Sequence, residues 1–172
     1  RRAAKVVNFG VLYGMSPHGL AAAAGMDFIA AKQFIDEYFV VHSEIRDYID
    51  KTVQKARDDG YVETLLGRRR PTPDVKSSNF IVRSSAERAA ANMPIQGTEA
   101  DLMKMAMLSV DAKLPGVGEQ LLQIHDSILV ECPKEQAEKV SEILQNTMEN
   151  IYPELGVRLQ VDVHVGDNWG EV

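Results

Sequence analysis

Cysteine is almost missing from this 172-residue chain, where Cys132 stands alone. A single thiol excludes an internal disulfide and any cysteine-rich zinc site, a usage that fits a reducing compartment. Long apolar runs are lacking as well. No stretch approaches the roughly 18 residues that a membrane helix needs, and the N-terminal stretch does not read as a signal peptide. His18, His42 and His164 have no clustered carboxylate or cysteine partner in the sequence, so they read as surface or packing residues. No internal repeat or low-complexity segment is present. Nor does the chain open on methionine or on a helix cap: Arg1 already lies inside a helical pattern, so the sequence reads as part of something longer.

What is present is ordinary for a globular protein: 45% hydrophobic and 26% charged residues, enough for one good core and room for a second small one. The net charge of −6 argues against wholesale binding of a polyanion, but its distribution does not. Residues 1–94 hold 14 Lys+Arg against 11 Asp+Glu, whereas residues 95–172 hold 5 against 14. The first part could meet a polyanion; the second could hold cations or be a solvated acidic surface.

The most informative stretch is the first fourteen residues. Read as a helix, it sets Arg1, Lys5, Phe9 and Tyr13 at i+4 steps, each drifting about 40° around the axis. The stripe runs from two cations through one ring to a second ring with a hydroxyl. A nucleoside triphosphate presents the same order of needs: anionic oxygens, then a sugar, then a flat base. The same spacing also describes a plain packing face with cations at its rim. Against that, Val6, Val7, Val11 and Leu12 already form a separate apolar set. Gly10 and Gly14 each cost roughly 1 kcal/mol in a helix, and such residues are kept where something approaches the backbone closely.

Farther along, Ser16 reads as an N-cap before Pro17, and Gly25 as the end of a short helix. Asp27 caps a helix over 28–40 with Phe28, Ala31, Phe34, Ile35, Tyr38 and Phe39 at core spacing. Ser43 and Glu44 open another, buried through Ile45, Tyr48, Ile49 and Val53 and ended by Gly60. Residues 61–65 read as a strand that returns through Gly67 and the basic run Arg68-Arg69-Arg70, which is either solvated or set for phosphate contact. A helix over 80–92 is expected to break at Pro94, with a second helix over 96–113. From Gln120 the period becomes two, with His125-Asp126 between two strands. The favoured two-residue turns want positive φ and hence Asn-Gly or Asp-Gly, so this pair breaks a local rule, as functional sites tend to do. A helix follows from Pro133 to about Ile151, packed through Ala137, Val140, Ile143, Leu144 and Met148, and then a last strand over 157–165.

Six stretches in order, RRAAKVVNFGVLYG, GYVETLLGRRRPTPD, SSN, AERAAANMPIQGTEAD, QIHDSILVE and GDNW, resemble the DNA polymerase I family (family A polymerases) across essentially the whole chain. The resemblance implies an α+β, mostly helical fold: fingers helices over 1–75, and over 76–172 the C-terminal part of a palm with a partial antiparallel sheet. It implies a DNA-templated DNA polymerase transferring nucleotides from dNTPs to a primer 3′-hydroxyl, in a cytoplasmic, bacterial, nucleoid-associated setting. Arg1 and Lys5 would bind the triphosphate, with Lys5 placed to protonate pyrophosphate. Phe9 would lie on the sugar and Tyr13 at the nascent pair, with Gly14 and Ser16 near the template. Arg88, Asn92 and Gln96 would contact primer-template DNA, Gln96 reading minor-groove acceptors. Asp126 would be one of two aspartates holding two Mg²⁺ ions, with His125 near the primer terminus.

The chain departs from the family pattern in three places. Ser127 stands where a glutamate usually follows the histidine-aspartate pair, and Glu99 stands where a small residue is usual. The segment with the family's first catalytic aspartate, together with the thumb, belongs upstream of the fingers motif and is not in this sequence. A single carboxylate binds Mg²⁺ weakly, so the expectation is a polymerase portion inactive alone and partnered by the missing palm and thumb. A non-catalytic nucleotide- or DNA-binding module, either a decayed relic or a subunit of a split polymerase, is the alternative. RNA synthesis on the single-subunit phage pattern is disfavoured by Phe9 beside Gly10.

Overall fold

The computed structural model describes the backbone from Arg2 to Val172 and the side chains from Val7 onward, so Arg1 and the side chain of Lys5 lie outside the described residues. The chain divides into two compact units, residues 1–96 and 97–172. None of the described helices is long and apolar enough to cross a membrane.

The first unit opens with helices α1 (Arg2–Leu12), α2 (Pro17–Ala24), α3 (Phe28–Val41) and α4 (Ser43–Asp59). Local chemistry sets their ends. Ser16 accepts a hydrogen bond from the Gly19 N–H at 3.2 Å, and Asp27 accepts one from Ala30 at 2.9 Å, so the expected caps of α2 and α3 are formed. Val11, Leu20 and Ala31 are buried where α1, α2 and α3 meet, with Val7, Met15, Ile35, Tyr38 and Phe39 around them. The apolar face of α1 is therefore Val7–Val11, as its separate apolar set requires. Phe28 and Phe34 are corrections: both are more than a third exposed, and Phe28 leans on the His18 ring at 4.4 Å instead of entering the core. Small Ala31 lets the helices approach, which leaves the bulkier rings on either side outside the contact.

A short antiparallel hairpin follows, β1 (Tyr61–Glu63) and β2 (Arg69–Pro71), with Val62 opposite Arg70. The strand expected over 61–65 stops at Glu63, because Thr64 turns the chain: its N–H bonds the Arg68 carbonyl and its hydroxyl accepts from the Arg68 N–H. Ala56, Val62, Val75, Ala90 and Met93 make a second buried cluster that joins α4 and this hairpin to helix α5 (Phe80–Asp111). An ion pair between Arg57 and Glu87, 2.5 Å apart, ties α4 to α5 as well.

The break expected at Pro94 does not occur: α5 passes through it without losing helical assignment. Proline removes one backbone donor and crowds the preceding turn, at a cost of about 3 kcal/mol. Burial of Ala90, Ala91 and Met93 on the turn before it offsets that cost.

The second unit contains the remainder of α5, an antiparallel hairpin β3 (Glu119–Ile124) and β4 (Ser127–Glu131), and helix α6 (Ala137–Glu149). Val110, Leu114, Val117 and Val140 form its core, against Ile128, Val130, Ile143, Leu144 and Met148. The strand expected over 157–165 is not one. The alternation survives, with Leu159, Val161 and Val163 half-buried, but no ladder forms among the described residues. The Val161 N–H instead donates to the Glu149 carboxylate at 3.3 Å. Alternation records a half-buried face; a strand also needs a backbone partner.

Candidate functional site

In the first unit the exposed face of α1 carries the two rings. Phe9 and Tyr13 stack with centroids 6.5 Å apart and an interplanar angle of 17°, each more than 40% exposed despite its size. They border an open cleft of about 490 Å³ completed by Gly10, Gly14, Met15, Ser16 and Arg88. Five residues singled out from sequence, Phe9, Tyr13, Gly14, Ser16 and Arg88, thus gather around one concavity.

The two glycines of this stretch have separate causes. The chain turns back after α1 so that the Met15 N–H bonds the Gly10 carbonyl at 2.8 Å. A Cβ on Gly10 would meet the Met15 methyl at 2.6 Å. Gly14 has φ +81°, the left-handed region, and the stem of Arg88 lies 3.0 Å from where its Cβ would be. Close approach to the backbone is therefore met partly by the chain's own side chains. Arg88 itself donates to the Ser84 hydroxyl at 2.9 Å and remains exposed.

Asn92, one turn after Arg88 on α5, is half-buried and donates its amide to the Tyr13 carbonyl at 3.4 Å. Gln96 follows one turn later with its side chain in solvent. Tyr48, read from the sequence only as a core residue of α4, donates its hydroxyl to the Ala91 carbonyl at 3.3 Å. Burial pushes its phenol above the ordinary value of 10.0, and a hydrogen bond from Thr52 pulls it partly back. No short motif signals a bond between residues so far apart in the chain.

In the second unit, His125 and Asp126 form the two-residue tip of the β3–β4 hairpin. His125 adopts φ +53°, the left-handed region that the turn demands and that no other non-glycine among the described residues takes. The rule broken in sequence is thus paid in backbone strain. The Gln123 amide donates to the His125 carbonyl, and the Ser127 hydroxyl to the Ile124 carbonyl at 2.9 Å, so Ser127 closes the turn that holds its neighbour. His125 also borders a cleft of about 280 Å³ with Glu99, Ala100, Met103, Lys104, Met107 and Gln123. Glu99 therefore faces the same concavity as the imidazole.

Asp126 stands exposed at the tip. Among the described residues no group of three or more His, Cys, Asp or Glu side chains is placed to hold a metal ion. One carboxylate supplies too few of the oxygens that octahedral Mg²⁺ requires, so the described residues do not by themselves fit that ion.

The family model described as DNA polymerase family A matches residues 1–171. The thermostable DNA polymerase I of Thermus aquaticus is 48% identical over 170 residues, covering 98% of this chain and 20% of that protein. DNA polymerase I of Deinococcus radiodurans is 49% identical over 170 residues, covering 98% of this chain and 18% of its own length. Among solved structures, the POL domain of Pol1 from M. smegmatis, in complex with DNA primer-template and dNTP, is similar with a TM-score of 0.82 and 41% identity. That match covers 88% of this chain and 27% of that one. The chain spans about a fifth of the length of the curated relatives it matches. A match of nearly half the residues along the whole chain, on the same fold, leads to one assignment: the chain belongs to DNA polymerase family A.

Proposed function

We propose that this chain serves a DNA-templated DNA polymerase, supplying its fingers (residues 1–75) and the C-terminal part of its palm (76–172). The observation that carries the proposal is the exposed Phe9–Tyr13 stack over a cleft bordered by Gly14, Ser16 and Arg88. Large rings left in solvent beside a cation suit a ligand with a flat face and negative charge. That the M. smegmatis relative is described with primer-template and dNTP supports the same reading.

In this reading Arg1 and Lys5 hold the triphosphate. Phe9 supports the sugar, and Tyr13 abuts the nascent base pair, with Gly14 and Ser16 beside the template. Arg88, Asn92 and Gln96 contact the primer-template near its end, and His125 lies near the primer terminus. The primer 3′-hydroxyl gives up its proton to solvent as its oxygen attacks the α-phosphorus, the bond from that phosphorus to the oxygen bridging to the β-phosphate breaks, and Lys5 gives the departing pyrophosphate a proton. Mg²⁺ is the metal the family implies, with Asp126 as this chain's ligand; further carboxylates have to come from outside the described residues. The 172 residues are accordingly assigned binding of nucleotide and DNA, and extension only in company with the rest of a polymerase.

The experiment is paired. Fluorescence anisotropy with a labelled primer-template is expected to show binding by the chain alone, weakened by Arg88→Ala. A Mg²⁺-dependent primer-extension assay is expected to show none from the chain alone, and activity once a palm and thumb portion is supplied. Extension by the isolated chain that Asp126→Ala abolishes would overturn the division of labour. Binding with no extension in any combination would leave a non-catalytic module.

A further inference from the structure

We propose that Tyr48 is a positioning residue: its hydroxyl, bonded to the Ala91 carbonyl beside Pro94, sets the turn of α5 that holds Asn92 against the end of α1 and presents Gln96. The inference rests on the reading of Asn92 and Gln96 as primer-template contacts.

The physical need arises from Pro94. A proline inside a helix offers no N–H to the carbonyl four residues back, here Ala90, and its ring pushes against that turn. Only the Ala90 carbonyl loses its helical donor, since the partner of Ala91 four residues on is Ile95, but the turn is weakened there by about one hydrogen bond. Tyr48 adds a donor from α4 on the neighbouring carbonyl of buried Ala91, a second bond that ties the weakened turn to α4.

The next residue along is Asn92. Its amide donates to the Tyr13 carbonyl, and one turn earlier Arg88 fills the space beside Gly14. The end of the ring-bearing helix is thus held by two side chains of α5 whose backbone is set at Ala91. Tyr48 is more than a third exposed, and its ring is not a member of the buried cluster that joins α4 and α5. What the hydroxyl adds is direction more than burial.

The test compares the 172-residue chain with Tyr48→Phe, which keeps the ring, and with Thr52→Val, which removes the hydroxyl that hydrogen-bonds Tyr48. Amide hydrogen exchange is read residue by residue, and affinity is measured by anisotropy for primer-templates with matched and mismatched ends. In Tyr48→Phe, exchange over residues 91–96 and 13–15 is expected to quicken about fivefold, the size of one lost hydrogen bond, with the rest of α4 unchanged. The preference for the matched end is expected to fall by a similar factor, and Thr52→Val to move both readouts in the same direction by less.

Exchange that rises evenly through the first unit, or an unchanged matched-to-mismatched ratio, overturns the proposal. Should Tyr48→Phe fail to fold, Thr52→Val decides by the same criteria. Should the wild-type chain bind neither DNA, the functional reading fails, and the exchange pattern alone decides whether Tyr48 sets the turn.

Discussion

Gly14, His125 and Asp126 are single positions where backbone conformation or charge, more than buried apolar area, decides what a substitution does. At Gly14 the left-handed backbone alone makes a side chain costly, and the flexible Arg88 stem can yield only in part. Gly14→Ala is expected to lower unfolding free energy by about 1–2 kcal/mol, read from urea denaturation, and to weaken DNA binding by displacing Arg88. His125 is the converse case, a side chain kept where glycine would be easier. His125→Gly is expected to stabilise the chain by about 0.5–1 kcal/mol while weakening primer-template binding, so stability and affinity should move in opposite directions. Asp126 is exposed, and Asp126→Asn is expected to change stability by no more than about 0.5 kcal/mol. In a polymerase carrying this chain, the same change is expected to reduce Mg²⁺-dependent extension to background.

Elements show which signals travel in the sequence and which do not. The caps at Ser16 and Asp27 and the helix ends at Gly25 and Gly60 were legible because each involves a few adjacent residues. So was the tip of the β3–β4 hairpin, where a residue pair against the turn's preference falls between the two strands and His125 takes φ +53°. The continuity of α5 was not legible, because proline's local penalty is overcome by burial against α4 and β1, which lie far away in sequence. The absence of a final strand was hidden for the mirror-image reason: alternation reports a face and says nothing of a partner edge. The Phe9–Tyr13 stripe could be read, while the Tyr48–Ala91 and Asn92–Tyr13 bonds could not, since no periodicity links α4 to α5 or α5 to α1.

The link between α4 and α5 also carries a pH signature. Because burial raises the Tyr48 phenol, the folded chain holds that proton more tightly than the unfolded one. Its contribution is complete below the ordinary value of 10.0 and is lost as pH rises through the raised value. Denaturant midpoints taken across the alkaline range are expected to fall less steeply in Tyr48→Phe than in wild type.

For the molecule as a whole, charge is the informative quantity. For a chain of net charge −6 the proposed DNA binding has to run through local cations, and the positive surplus lies in residues 1–94. Arg70 on β2 is exposed, whereas Arg69 is engaged with Glu63 and lies over the Tyr61 ring. If the basic hairpin touches phosphate, Arg70→Ala should weaken binding alike for all DNA sequences and reduce the slope of log affinity against log salt by about 1. An unchanged slope would assign this arginine to the solvated surface.

The pairing of β3 with β4 has one surplus residue, Leu121, between the Gln120–Val130 and Leu122–Leu129 pairs. A two-residue turn copies the parity of its strands: which face its tip presents depends on whether an odd or an even number of residues precedes it. Asp126 is therefore aimed by counting. Loss or gain of two residues in β3 would shorten or lengthen the hairpin and leave its carboxylate on the same face. A change of one would turn it over unless the bulge absorbed it. For the gene, this makes a six-nucleotide indel within β3 gentler than a three-nucleotide one, although both preserve the reading frame.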